Sequence, residues 1–144
     1  MIEGLTMKNE KVGASGPTAN LIDKFYKSAL AEGVFPETGD SMSEMDCFLA
    51  SIGGEVVGAV VLYSLDPAQS RYYVPGYWIQ FVYVVPSHRR RGIGAEMLST
   101  LGALADATGN KLMLGTGEKN EAMRWLATKA GFATDHVVMR RVPK

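Results

Sequence analysis

The sequence predicts a mixed α/β domain in which helices cover both faces of one sheet. Two apolar runs at residues 47–52 and 55–65 flank Gly53-Gly54, and a glycine pair between such runs favours a β-hairpin. Residues 77–85 are almost entirely apolar, β-branched or aromatic, which is typical of a central strand buried on both faces. Downstream of that strand, helical and strand patterns alternate, as they do in α/β folds.

The other predicted elements complete this order. A first strand is expected within residues 2–15, and loops are expected at residues 36–45 and 66–76. An amphipathic helix, capped by Thr18 or Asn20 and ending by Gly33, places on one face Leu21, Ile22, Phe25, Ala29 and Leu30. A second helix at residues 95–107 has the helical spacing Met97, Leu98, Leu101, Leu104 and Ala105. The chain then predicts a strand at residues 111–114, a helix at 120–130 and a last strand at 132–142.

Composition limits the classes of function. The 144 residues predict one domain spanning 1–144, and the 15 Lys plus Arg balance the 15 Asp plus Glu, which argues against nucleic acid or an anionic membrane as the main partner. Cys47 is the only cysteine, so it forms no intramolecular disulfide or cysteine-based zinc site, and we expect a core position and no metal. The N-terminal residues lack the apolar run of a signal peptide, and no window reaches the roughly 18 apolar residues of a membrane span, which predicts a cytoplasmic protein.

The segment between the central strand and the next helix carries the clearest chemistry. Pro86 ends the strand, and residues 88–95 read His-Arg-Arg-Arg-Gly-Ile-Gly-Ala. Amide groups at a helix start have no intrahelical partner, and the helix dipole adds positive charge there, so such a turn binds anions. Gly92 and Gly94 have no Cβ and would let a diphosphate approach the main chain closely. Guanidinium groups that match phosphate oxygens come from Arg89, Arg90 and Arg91.

Two common nucleotide motifs do not explain this turn. A dinucleotide fingerprint requires a third glycine where the chain has Met97, and a P-loop requires the ending Gly-Lys-Ser/Thr. A solvated strand-to-helix turn without a ligand remains the structural alternative. The sequence therefore predicts a site for a nucleotide or coenzyme phosphate of another kind.

This segment, together with a second motif, resembles the GNAT superfamily of N-acetyltransferases. The signature of that family is Val-x-Pro, a short gap and Arg/Gln-x-x-Gly-x-Gly/Ala, and it is matched by residues 84–86 and 89–94. In the second motif, Asn120 begins a helix with Leu126 on its inner face, and Gly131-Phe132 follows the helix. The resemblance covers residues 46–141 and implies a GNAT-like mixed, mostly antiparallel sheet with splayed central strands and helices on both faces.

The resemblance implies acetyl-CoA as the cosubstrate. Amides around Arg91, Gly92, Gly94 and Ala95 would hold the pyrophosphate, the backbone of residues 82–84 would pair with pantetheine, and the Val84 amide would stabilise the oxyanion. The family also builds its acceptor pocket near the aromatic residues Tyr72, Tyr73, Tyr77 and Trp78. The full set of implied coenzyme-binding residues is Val82, Tyr83, Val84, Arg89, Arg90, Arg91, Gly92, Ile93, Gly94, Ala95 and Asn120.

The usual catalytic side chains of the family are missing. Many members place a glutamate on the central strand as the base, and the position aligned with it by spacing holds Trp78. Gln80 lies on the same face two residues later, where its amide can orient a water or the amine but cannot accept a proton, and it is the predicted catalytic residue. The tyrosine that protonates the leaving thiolate in many members is replaced by Ala127. Because a thiol has a pKa of about 8.5, the thiolate can leave without that acid.

The predicted function is transfer of an acetyl group from acetyl-CoA to a primary amine of a protein or small molecule, by direct attack on the thioester. The missing glutamate and tyrosine favour the alternative, a non-catalytic acyl-CoA-binding sensor or interaction domain. A nucleic-acid binder would need an extended basic face, which the neutral net charge argues against. The sequence names neither the acceptor nor the oligomeric state, and a homodimer stays open.

Overall fold

A five-stranded sheet organises the part of the chain that the computed structural model describes, which is residues 2–13, 15–33, 45–65, 76–116, 120–134, 139 and 141–143. The elements in chain order are β1 (Leu5–Lys11), α1 (Pro17–Ala31), β2 (Asp46–Ile52), β3 (Glu55–Leu65), β4 (Gly76–Val84), α2 (Ile93–Thr108), β5 (Lys111–Leu114) and α3 (Glu121–Lys129). The strands lie in the order β1-β2-β3-β4-β5. The first four pair antiparallel with their neighbours, and β5 pairs parallel with β4.

The β2–β3 hairpin has the predicted turn. Ile52 pairs with Glu55, so Gly53 and Gly54 form a two-residue connection. Their φ values of 59° and 83° are both positive, which is the conformation of a type I′ turn and favours glycine at both positions. The hairpin prediction is confirmed, including its bounds to within one residue.

Helices cover both faces of the sheet, as the sequence predicts. On one face, α1 buries Ala19, Ile22, Phe25 and Ala29 against alternate residues of β2, β3 and β4, namely Cys47, Leu49, Ala59, Val61, Phe81 and Tyr83. On the other face, α2 buries Ile93, Met97, Leu98 and Leu101 against Phe48, Ala50, Val60, Leu62 and Ile79. Burial raises the pKa of the Cys47 thiol to about 11, so this cysteine is a core residue.

The start of α1 differs from the prediction. The helix begins at Pro17, with Gly16 as its N-cap, because the fixed φ of proline suits the first helical position. Neither Thr18 nor Asn20 caps it, and the Thr18 hydroxyl instead donates a hydrogen bond to Glu10 Oε2 at 2.8 Å. This bond ties the helix start to β1.

Two predicted core positions and one predicted strand also differ. Leu30 and Leu104 are each 51% exposed, so neither is a core residue. Residues 132–134, 139 and 141–143 are not in a strand, and the rest of the predicted last strand lies outside the described residues. The predicted loops at 36–45 and 66–76 lie almost entirely outside them as well. Among the described helices, none is long and apolar enough to cross a bilayer.

Candidate active site

β4 has an open edge beside its last residues. Its parallel pairing with β5 runs from Gly76 opposite Lys111 to Ile79 opposite Leu114 and stops there. β4 itself continues to Val84, still paired with β3 on its other side. Within the described residues, no strand pairs with residues 80–84 on the β5 side, and we call the space beside them the cleft.

Backbone direction determines which residues face this open edge. The Val85 amide donates to the Val57 carbonyl at 2.9 Å, so the backbone of Val85 faces β3. Because facing alternates along a strand, the backbone of Tyr83 also faces β3, and the N–H and C=O groups of Val82 and Val84 face the open edge. Of the predicted pantetheine-binding residues 82–84, only Val82 and Val84 therefore have backbone groups directed at the cleft.

A β-bulge lies where β4 and β5 separate. Phe81 pairs with Val61 and Ile79 pairs with Leu62, which leaves Gln80 as the extra residue in β4. Gln80 is half-buried and its Oε1 atom is buried. The predicted catalytic residue is thus located at the branch point of the two strands, a position that no local sequence signal indicated.

Next to the bulge, α1 contributes a tyrosine that sequence reasoning missed. The ring of Tyr26 stacks on Phe81 with centroids 4.4 Å apart. Burial raises the pKa of Tyr26 to about 12, so its hydroxyl is protonated at neutral pH. Tyr26 directly follows the core residue Phe25. The helical periodicity of α1 gave no reason to expect that Tyr26 contacts Phe81 beside the bulge while Phe25 packs in the core.

The turn between β4 and α2 has the geometry of an anion site. A short 3₁₀ helix (Pro86–His88) precedes it, and Arg90 and Gly92 both adopt positive φ values, of 64° and 86°. α2 starts at Ile93, and the first helical hydrogen bond is donated by Glu96 to the Gly92 carbonyl at 3.0 Å. The amides before Glu96 in this turn consequently have no intrahelical acceptor, and they lie at the positive end of a 16-residue helix dipole.

The two glycines of the turn have different roles. Gly92 needs its left-handed conformation, and a Cβ there would have space, with Ile2 Cδ1 at 4.0 Å as the nearest atom. A Cβ on Gly94 would lie 3.2 Å from Leu126 Cδ2 and 3.9 Å from Val84 Cγ2. The missing side chain of Gly94 therefore permits close packing of α2 on α3, whereas the sequence interpretation assigned it to close approach of a diphosphate. Ile93 is 1% exposed, so its contribution to a ligand is limited to its backbone.

A cavity of about 340 Å³ adjoins this turn. Its lining residues come from the N-terminal segment, the turn, α2 and α3, and they are Ile2, Arg91, Gly92, Ala95, Glu96, Ser99 and Lys129. Ile2, Ser99 and Lys129 were not identified from the sequence, because they lie far from the turn motif along the chain or on the outer face of a helix. The Lys129 ammonium lies 4.9 Å from the ring centroid of Trp125, whose side chain is 64% exposed.

The three arginines of the turn have different surroundings. Arg90 and Arg91 are exposed and form no ion pair with the described residues. Arg89 donates from Nε to the Val84 carbonyl at 2.8 Å and forms an ion pair with Glu32. Hydrogen bonds from Arg89 and Tyr83 hold the pKa of Glu32 below its usual range. The stabilisation from this carboxylate is therefore present above the ordinary carboxyl pKa and is lost as pH falls through the lowered pKa.

The second motif has the expected helix. Asn120 is the N-cap of α3, and its Oδ1 accepts a hydrogen bond from the Met123 amide at 3.2 Å. Because Oδ1 caps the helix, a contact of the Asn120 side chain with a ligand would have to come from its Nδ2 group. Ala127 is 6% exposed and packs in the core. In the described part of the chain, no group of three or more His, Cys, Asp or Glu side chains is arranged to hold a metal ion.

Comparison with known structures identifies the same fold. An aminoglycoside acetyltransferase from an uncultured soil metagenomic sample superposes with a TM-score of 0.69 at 16% identity, covering 98% of this chain and 97% of that one. A ribosomal-protein-alanine N-acetyltransferase from Brucella melitensis biovar Abortus 2308 gives 0.67 at 18% identity, covering 96% and 100%. A possible acetyltransferase from Clostridium difficile 630 gives 0.70 at 17% identity, covering 99% of each chain.

Sequence comparison gives the family. A search of curated proteins returned no significant match. The model of the acetyltransferase (GNAT) family matches residues 18–132, which include all of α1 except its first residue, the open edge of β4, the arginine turn and α3. The two motifs, and the end of the β4–β5 pairing at Ile79, agree with that match. The chain belongs to the GNAT acetyltransferase family.

Proposed function

We propose that this protein transfers an acetyl group from acetyl-CoA to a primary amine. The observation that carries the proposal is the continuity between the open edge of β4 and the amino end of α2. An extended pantetheine arm can pair with the N–H and C=O groups of Val82 and with the N–H group of Val84, as an added strand pairs with a sheet edge. The Val84 carbonyl accepts from Arg89. The pyrophosphate then lies on the amides of the turn at residues 91–95, with Arg90 and Arg91 supplying positive charge.

The direction of the coenzyme places the thioester at the bulge. Since the pyrophosphate lies beyond the carboxyl end of β4, the pantetheine arm runs back along the strand towards Gln80. Gln80 is two residues beyond Val82, about 7 Å at the usual rise per residue. We therefore place the oxyanion donor among the backbone N–H groups that the bulge re-aims, because they lie nearer to the thioester than the Val84 amide does.

The reaction is a direct transfer. The neutral amine nitrogen attacks the thioester carbonyl, the C–S bond breaks, and CoA leaves as a thiolate that takes up a proton from solvent. The amine loses its extra proton to water, which Gln80 can orient through its amide. The pKa values of Tyr26 and Tyr83 are both raised, mainly by burial, so neither tyrosine acts as a base near neutral pH.

Release of free CoA tests this function. The wild-type protein is expected to release thiol from acetyl-CoA well above the solvent background when the matching amine is present. The panel should contain aminoglycosides and a peptide with an amino-terminal alanine, because the two kinds of structural neighbour act on such amines, and also lysine peptides and polyamines. Tight binding of acetyl-CoA without turnover on any amine would instead support the alternative, a non-catalytic acyl-CoA sensor.

The pH dependence of the same assay tests the role of Gln80. Without a protein base, the rate at subsaturating amine should keep rising with pH towards the amine's own pKa, which is about 10.4 for a lysine-like group. Gln80→Glu should add a titration step at acidic pH, and Gln80→Ala should slow the reaction. A wild-type rate that levels off near pH 7, with Gln80→Ala fully active, would show that another side chain is the base.

A further inference from the structure

We infer that Arg89 positions the coenzyme turn through Glu32 and does not itself bind phosphate. The inference rests on the proposed function, because it concerns how the acetyl-CoA site is held in shape. It divides the arginine triplet into one positioning residue, Arg89, and two residues that supply charge to the ligand, Arg90 and Arg91. Glu32, the residue after α1, becomes part of the coenzyme site without touching the coenzyme.

The guanidinium group of Arg89 is held on three sides. Its Nε donates to the Val84 carbonyl at 2.8 Å, and its NH1 pairs with Glu32 Oε1. Its guanidinium carbon lies over the ring of Tyr83, 5.3 Å from the ring centroid. The Tyr83 hydroxyl donates to Glu32 Oε2 at 2.9 Å, so both oxygens of the carboxylate are engaged. Two of the three guanidinium nitrogens of Arg89, Nε and NH1, are thus already bonded to groups of the protein.

Glu32 is itself held at the end of α1. It is the C-cap of α1, and its amide bonds to the carbonyls of the last helical turn. α1 in turn packs Phe25 against Tyr83, with ring centroids 5.1 Å apart. The Glu32–Arg89 pair therefore connects the end of α1, which packs on one face of the sheet, to the turn at the end of β4.

The Glu32–Arg89 pair lies next to a strained backbone position, Arg90. Arg89 is extended, with φ −72° and ψ 162°, and the next residue, Arg90, adopts φ 64°, a left-handed conformation that costs free energy for a side chain other than glycine. Holding Arg89 at Val84 and Glu32 fixes the chain immediately before that conformation. Arg90 and Arg91 stay exposed, and Arg91 lines the cavity beside α2. Their charges are thus available for the phosphates.

Salt dependence separates positioning from phosphate binding, because direct charge contacts with a phosphate are screened by salt. Acetyl-CoA affinity should be measured by calorimetry at several salt concentrations. We expect Arg89→Ala and Glu32→Gln each to weaken binding about tenfold with the salt dependence of the wild type retained. Arg91→Ala should weaken binding and also reduce the salt dependence. The double variant Glu32→Gln/Arg89→Ala should bind no more weakly than the weaker single variant, since the two residues act as one unit.

Kinetics and a matched control complete the test. Glu32→Gln should raise KM for acetyl-CoA about tenfold with little change in kcat. Asp23→Asn removes a surface ion pair with Lys27 on the same helix and should change neither quantity. A salt dependence reduced by Arg89→Ala as much as by Arg91→Ala, or tighter binding in Glu32→Gln, would overturn the inference, because Arg89 would then bind phosphate. Absence of binding by the wild type would instead refute the proposed function itself, and the inference with it.

Discussion

Replacement of Gly76 by alanine is expected to lower the free energy of unfolding by about 3 kcal/mol or more, a large fraction of the stability of a small domain. A Cβ at position 76 would lie 2.3 Å from the carbonyl oxygen of Lys111. That atom belongs to the backbone of β5, so it cannot move aside as the end of a flexible side chain would. The variant must push β5 away from β4 and disturb the strand pair that forms the cleft.

A matched glycine provides the control. Gly102 lies within α2, and a Cβ there meets nothing within 4 Å. Gly102→Ala should raise the free energy of unfolding by roughly 0.5–1 kcal/mol, because alanine favours the helix over glycine. Urea denaturation of both variants beside the wild type measures the two changes. Equal midpoints for Gly76→Ala and the wild type would contradict the close approach of β4 and β5.

Gly94→Val is expected to abolish measurable binding of acetyl-CoA. The valine side chain would meet Leu126 Cδ2, 3.2 Å from the position of Cβ, and would separate the first turn of α2 from α3. That displacement moves the amides on which the pyrophosphate lies. Calorimetry with acetyl-CoA measures the loss, and circular dichroism checks that the variant is folded.

A second substitution distinguishes packing from ligand contact at this glycine. If Gly94 is needed for packing on α3, then Leu126→Ala should restore most of the binding to the Gly94→Val variant, because it removes the atoms that the valine meets. Leu126→Ala alone should bind acetyl-CoA nearly as the wild type does. Failure of the double variant to recover binding would mean that position 94 must be bare for the ligand itself, as the sequence interpretation held.

Local patterns predicted much of the fold. The Gly53-Gly54 pair favours a two-residue turn because glycine readily adopts the positive φ values that this turn needs. The apolar runs on either side of the pair predicted the two strands. β5 was predicted with its observed bounds, since it is a short apolar run between a helix end and polar residues. A helix was predicted at residues 120–130, and Asn120 is the N-cap of α3, which runs from Glu121 to Lys129.

The features that the sequence did not predict depend on contacts between distant segments. The bulge at Gln80 exists only in the pairing of β4 with β3, and nothing in the run 76–84 marks it. Lys129 and Ile2 join the turn at one cavity from opposite ends of the chain. Glu32 and Arg89 are 57 positions apart, and a basic triplet beside two glycines gives no sign that one arginine bonds to a helix elsewhere. Periodicity likewise gives the direction of an apolar stripe but not its width, which explains the exposed Leu30 and Leu104.

A crystal structure of the wild-type protein with acetyl-CoA is the most direct test of the central claim, that the coenzyme occupies the open edge of β4. The predicted result is a pantetheine arm alongside Val82 and Val84, pyrophosphate oxygens bonded to amides of residues 91–95, and a thioester at the Gln80 bulge. Arg89 should stay on Glu32 in the complex. A coenzyme bound elsewhere, or another strand of the chain paired with residues 80–84 so that the cleft is closed, would contradict the account.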